Sequence, residues 1–260
     1  MIAYSPKMKN LGLLQKFHKT YPKILFKLNK NLDKWTGVNF LHHQRGGLNF
    51  GANILRYHPK LSSAKKLEDK QKQKLIFSYV DNYYQTHLRE LKKAKIIFQT
   101  QWDKKEKEFF GEVGKIFNYH PWPKGKYLAF ISIFPCGPRF LKDKTFQVFY
   151  LTKRGPSLSC AHEMIHFLFY DYFEKKIPEI NPKEDSVWKL SEIINTFILD
   201  SPQFRLLFGV SHPHPYPAHL SLIKKLRVNW KKKKNLKTFL ARSLKIIEKE
   251  TQKLPAVSVS

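Results

Sequence analysis

Between Ser157 and Lys176 an apolar periodicity carries three residues that a buried face does not normally hold: His162, Glu163 and His166. Leu158, Ala161, Ile165, Leu168, Phe169 and Tyr172 recur at helical spacing, so the segment reads as a helix opening near Ser157 or Ser159 and stopped by Pro178. Two imidazoles and a carboxylate on such a helix are costly unless they find partners. Residues four apart share one helical face, so His162 and His166 reach a single ion. Zinc takes neutral imidazole nitrogens, and three protein ligands plus water make a catalytic site. Glu163, adjacent in sequence, points off the ligand face toward the position of that water, where it would take a proton and later return it to a leaving group. The bland alternative is a pair of histidines on a surface helix. In a chain of this composition the pattern His-Glu-x-x-His arises by chance roughly once in fifty.

The rest of the composition sets bounds. At 260 residues, one large domain or two small ones are both possible. Apolar residues at 42% argue against wholesale disorder. No stretch approaches the roughly 18 consecutive apolar residues of a membrane span. Leu11 to Leu14 is too short for a secretory apolar region, so the expected location is the cytoplasm. Cys136 and Cys160 are read as reduced, and Cys160, two residues before His162, as a small buried residue rather than a ligand. The net charge of +28 points to anionic partners, but 40 of the 48 basic residues are lysine and eight are arginine. Arginine is the better reader of phosphates and bases, so weak, non-specific nucleic-acid binding through lysines is expected at most.

Along the chain, residues 1–60 read as short strands and helix, 61–120 as long helix and 121–260 as the region carrying the motif, in one compact unit. Thr36-Gly37, Gly46-Gly47 and Gly51 suggest turns, with strands or a hairpin around Val38 to Leu55. The adjacent His42-His43 pair reads as surface, since neighbours on a strand face opposite ways. Helical patterns begin at Ser62 or Ser63 and again over Gln101 to Phe117. Strand candidates follow at Lys126 to Phe134 and Thr145 to Leu151, the latter a possible edge for an extended peptide. Further helices span about Asp185 to Asp200, His219 to Trp230 and Leu236 to Ile247, with Lys231 to Lys234 as an exposed charge run. Helices, then strands, then helices suggest an α+β fold.

The motif resembles that of the zincin metallopeptidases, and Glu192, 26 residues after His166 on a second helix, makes the segment Ser157 to Asp200 most similar to the gluzincin, thermolysin-like group. That resemblance implies a zincin-like fold: an active-site helix packed on a small sheet, with a second, ligand-bearing helix. It implies His162, His166 and Glu192 as ligands of one Zn2+ and Glu163 as general base. It further implies a hydrolase that cleaves peptide bonds of a peptide or protein through a zinc-bound water. Thermolysin-like enzymes carry a carboxylate four residues after the ligand Glu; here Thr196 stands there, with Asn195 as a substitute. The metzincin pattern is absent, because residues 169 and 172 are Phe and Tyr. Tyr216 and His219, in a proline-spaced loop, are candidate donors to the oxyanion of the tetrahedral carbonyl. Rival ligands are Asp171, Glu174, His212, His214 and His219. Two alternative functions stand beside this one. The first is a DNA-associated protease of the SprT or Spartan type, whose motif also reads His-Glu-Met-Ile-His but which adds a further His not far downstream. The second is a non-enzymatic basic nucleic-acid-binding protein.

Overall fold

The computed structural model describes residues 21–153, 155–209 and 215–253, which form a mixed α+β structure. They divide into two compact units: residues 21–109 with 124–163, and residues 110–123 with those from Met164 onward.

In the first unit, strand β1 (Ile24–Leu28) leads into helix α1 (Lys30–Phe40), a hairpin of β2 (Gln44–Arg45) and β3 (Leu48–Asn49), helix α2 (Phe50–Tyr57), a 3-10 helix over Pro59–Lys66 and the long α3 (Asp69–Asp103). The hairpin stands where a turn was expected, since Gly46 and Gly47 both take positive φ. Its flanks are helices, contrary to the strands expected from Val38 to Leu55. Asn29 and Asn49 cap α1 and α2 by accepting from Leu32 N and Ala52 N. Gly37 lies inside α1 because a Cβ there would sit 2.7 Å from Ile76 Cγ2, so it marks a close approach rather than a turn.

The sheet has the order β1, β4 (Tyr127–Ser132), β6 (Thr145–Phe149), β5 (Arg139–Phe140). The first three strands run parallel and β5 pairs antiparallel with β6. The segment from Thr145 is therefore an interior strand, paired on both sides, and the edge on its side of the sheet is β5. At the opposite edge, Gln99 of α3 accepts from Phe26 N and donates to Ile24 O, satisfying β1 backbone groups as a neighbouring strand would. The core combines Ile24, Phe26, Ala129, Ile131, Phe146 and Val148 with the buried stripe of α3 from Ile76 to Trp102.

One carboxylate is sealed into this core. Asp33 accepts from Tyr84 Oη (2.7 Å), Ser132 Oγ (2.5 Å), Gln147 Nε2 (2.9 Å) and Ile133 N (3.3 Å). It thus joins α1, α3, β4 and β6. Burial outweighs these donors and raises its pKa from 3.8 to about 6. A carboxyl with a raised folded-state pKa favours the fold when protonated. Its contribution is therefore complete below the unfolded value and is lost as pH rises to about 6, by roughly 3 kcal/mol in all. Asp33→Asn should remove that decline from a plot of Tm against pH. A slope unchanged between about pH 4 and 6 would contradict the assignment.

The second unit contains most of α4 (Glu106–Ile116), α5 (Pro156–Lys176) from Met164, α6 (Glu184–Leu199), α7 (Pro202–Phe208), a 3-10 turn over Pro217–His219, α8 (Leu220–Lys231) and α9 (Leu236–Lys253). From Ser186 to Leu199, α6 is buried at every position except Lys189. Its strip of Trp188, Glu192, Asn195 and Thr196 therefore faces protein, not water. Among the described residues no helix is long and apolar enough to cross a membrane.

Candidate metal centre

The motif helix is built by the pattern that the sequence displays. Met164, Ile165, Phe167, Leu168 and Phe169 are all buried, so the middle of the helix is held by apolar contacts while His162 is partly exposed. Side-chain exposure falls from 33% at His162 to 11% at Glu163 and 0% at His166. Exposure thus falls along the motif from His162 to His166.

Glu192 stands beside His166. Its Oε1 lies 3.3 Å from His166 Nε2 and its side chain is 5% exposed. A carboxylate this deep is stable only against a compensating cation or strong donors. Ligand atoms of His162, His166 and Glu192 all lie within 4.8 Å of one another, the only such cluster among the described residues. Two nitrogens and one oxygen at that separation match the donor set and the span of a divalent-cation site with imidazole and carboxylate ligands. The residues present therefore fit a metal ion.

Two tethers on α6 and α5 hold Glu192 in place. Thr196, which stands where thermolysin-like enzymes carry a carboxylate, donates to Glu192 O at 2.9 Å and so secures the backbone. Asn195 is fully buried. Tyr170, one turn after His166, lies 3.3 Å from Ser191 Oγ, which itself donates to Trp188 O. That chain joins α5 to α6 beside His166 and Glu192. Sequence reasoning missed Tyr170, although its i+4 spacing from His166 was a usable signal.

Glu163 has a partner that the sequence did not suggest. Arg139 of β5 donates from Nη1 to Glu163 Oε2 at 2.8 Å, with both side chains largely buried. The other carboxylate oxygen lies 3.9 Å from His162 Nε2. A guanidinium on one oxygen fixes the carboxylate and leaves its other oxygen directed to the motif.

The remaining candidates occupy other places. Tyr216 and His219 pack on the Trp188 ring at 5.3 and 4.9 Å, one helical turn before Glu192. Tyr216 is partly exposed and His219 is 1% exposed. Asp171 pairs with His120 (2.7 Å) and Lys175 (2.8 Å), and Glu174 is exposed. His212 and His214 lie outside the described residues. Cys160 is buried, with its thiol pKa raised by desolvation, as a packing residue should be. His43 sits against Phe40 and Phe50, with its pKa lowered by burial. No protein-family model, curated protein or solved structure matches the chain.

Proposed function

We propose that the protein is a zinc-dependent peptidase of gluzincin type, with His162, His166 and Glu192 as ligands and Glu163 as general base. The observation that carries this reading is the convergence of the three ligand atoms within 4.8 Å. It depends on a buried carboxylate from a second helix meeting the His pair of the first. Among the described residues the completing group is a carboxylate rather than a third histidine, which favours the gluzincin type over the SprT type.

Zinc, when bound, supplies a Lewis acid that polarises the scissile carbonyl and acidifies a water molecule. Glu163 takes a proton from the attacking water and delivers it to the departing amine. Arg139 keeps that carboxylate oriented between proton transfers. The exposed side of His162 admits the substrate. The outer edge of β5, the strand that bears Arg139, offers main-chain groups to an extended peptide. A zincin-like use of the sheet follows from this reading, with β5 rather than β6 as the substrate-pairing strand. Tyr216 and His219, beside Trp188 on the ligand helix, are the candidates for donation to the oxyanion.

Protein supplied with zinc should cleave members of a mixed peptide library, read by mass spectrometry. A strong chelator should abolish cleavage and added zinc should restore it. A library left intact by the zinc-loaded protein would contradict peptidase function.

A further inference from the structure

Within the run Lys231 to Lys234, an exposed charge run by sequence, Lys232 to Lys234 lie in the turn between α8 and α9 and form one wall of a cleft of about 510 Å³. Lys232, Lys233, Lys234 and Arg242 line it, with Asn229 and Thr238 among its uncharged polar groups, and no carboxylate contributes to the lining. We propose that this cleft binds the phosphodiester backbone of single-stranded nucleic acid.

The gathering of four cations around one concavity that no carboxylate lines carries the inference. Three cations on these helices outside the cleft are matched: Lys225 pairs with Glu250 at 2.7 Å, Lys237 with Glu179 at 3.1 Å, and Arg227 with Asp200. Among the described residues no ion pair joins any of the four cleft cations to a carboxylate. Four like charges gathered around one concavity repel each other, and an anionic ligand relieves that repulsion. The cleft is also shaped rather than merely charged. Lys233 Nζ sits 3.5 Å from the Trp230 ring centroid, and Trp230 packs on the buried Phe239 at 5.4 Å. Partial burial lowers the Lys233 pKa, as expected of an ammonium held in place rather than waving in solvent. Asn235 Oδ1 accepts from Thr238 N and fixes the turn at the start of α9.

Three features select the ligand. Amide and hydroxyl groups beside lysines are the usual partners of phosphate and sugar. One arginine among three lysines gives backbone contact without base reading. The volume lies in the range of small-ligand sites, roughly 300–1,000 Å³, so it seats a short stretch of one strand and not a duplex. An anionic bilayer is a poorer fit, because membrane-surface helices insert an apolar face, whereas eight of the ten residues lining this concavity are charged or polar.

The test is fluorescence anisotropy of a labelled 20-nucleotide single strand titrated with the full chain across a salt series. Lys232→Glu/Lys234→Glu/Arg242→Glu is compared with Lys65→Glu/Lys92→Glu/Lys93→Glu, an equal charge change at exposed sites elsewhere. The cleft variant should lose affinity by about thirtyfold or more and flatten the log–log salt slope by about two, while the control loses only a few-fold. Circular dichroism checks folding, and the corresponding Lys→Gln and Arg→Gln variant replaces the cleft variant if helicity falls. Equal losses in both variants, no binding by the wild type, or tighter cleft-dependent binding of the duplex would overturn the proposal. So would cleft-dependent binding of phosphatidylserine vesicles with none of the strand.

Discussion

Glu163→Gln should leave zinc bound and lower the rate of peptide hydrolysis by roughly 10²–10⁴-fold, the usual contribution of a positioned general base. The substitution conserves size, and its amide oxygen can still accept from Arg139, which donates to this side chain at 2.8 Å in the native protein. The packing of the motif helix and the two imidazoles are therefore untouched. What disappears is the capacity to hold a proton between water and leaving amine. The loss should fall on kcat, with KM little changed, because the effect belongs to the transition state. A variant that hydrolyses peptides at the native rate would remove Glu163 from the mechanism. A variant that loses zinc as well would mean that the carboxylate serves the metal rather than the proton.

Glu192→Ala should lower zinc affinity by orders of magnitude while the helices persist. Two imidazoles alone leave a divalent cation short of the three protein ligands of a stable catalytic site. The fold should survive because α6 is held by apolar contacts along its length, with Leu190, Ile193, Ile194, Phe197 and Ile198 all buried. Removing the carboxylate also removes a buried charge next to His166, which limits the cost to stability. Zinc per chain after dialysis, measured beside circular dichroism, separates loss of metal from loss of fold. Full zinc in Glu192→Ala, together with its loss in His212→Ala or His214→Ala, would replace the carboxylate with a third histidine.

The cluster of His162, His166 and Glu192 was legible because it rests on local periodicity. The i, i+4 spacing of His162 and His166 and the apolar stripe around Glu192 each lie within one helix, and helix periodicity is the strongest short-range signal. The contacts that the sequence concealed are those made by the sheet. Arg139 reaches Glu163 only because β5 folds back antiparallel on β6, and a two-residue strand has no period to read. β1 was missed for a similar reason: its five residues pair in parallel with Tyr127–Ile131, about a hundred residues away. Of the strands or hairpin expected from Val38 to Leu55, only the short hairpin of β2 and β3 forms, because Gly37 and Gly51 mimic turn signals. Each instead accommodates a neighbour, Ile76 in one case and the Leu41 carbonyl in the other. Burial of the polar strip on α6 was likewise undecided by the sequence, since Trp188, Glu192, Asn195 and Thr196 suit water or a site equally well.

X-ray absorption at the zinc edge of the purified wild-type protein tests the central claim most directly. The account predicts one zinc per chain with only nitrogen and oxygen neighbours at about 2.0–2.2 Å and the scattering signature of two imidazoles. A protein that takes up no zinc would contradict the account, as would a sulfur neighbour at about 2.3 Å or a third imidazole in the shell.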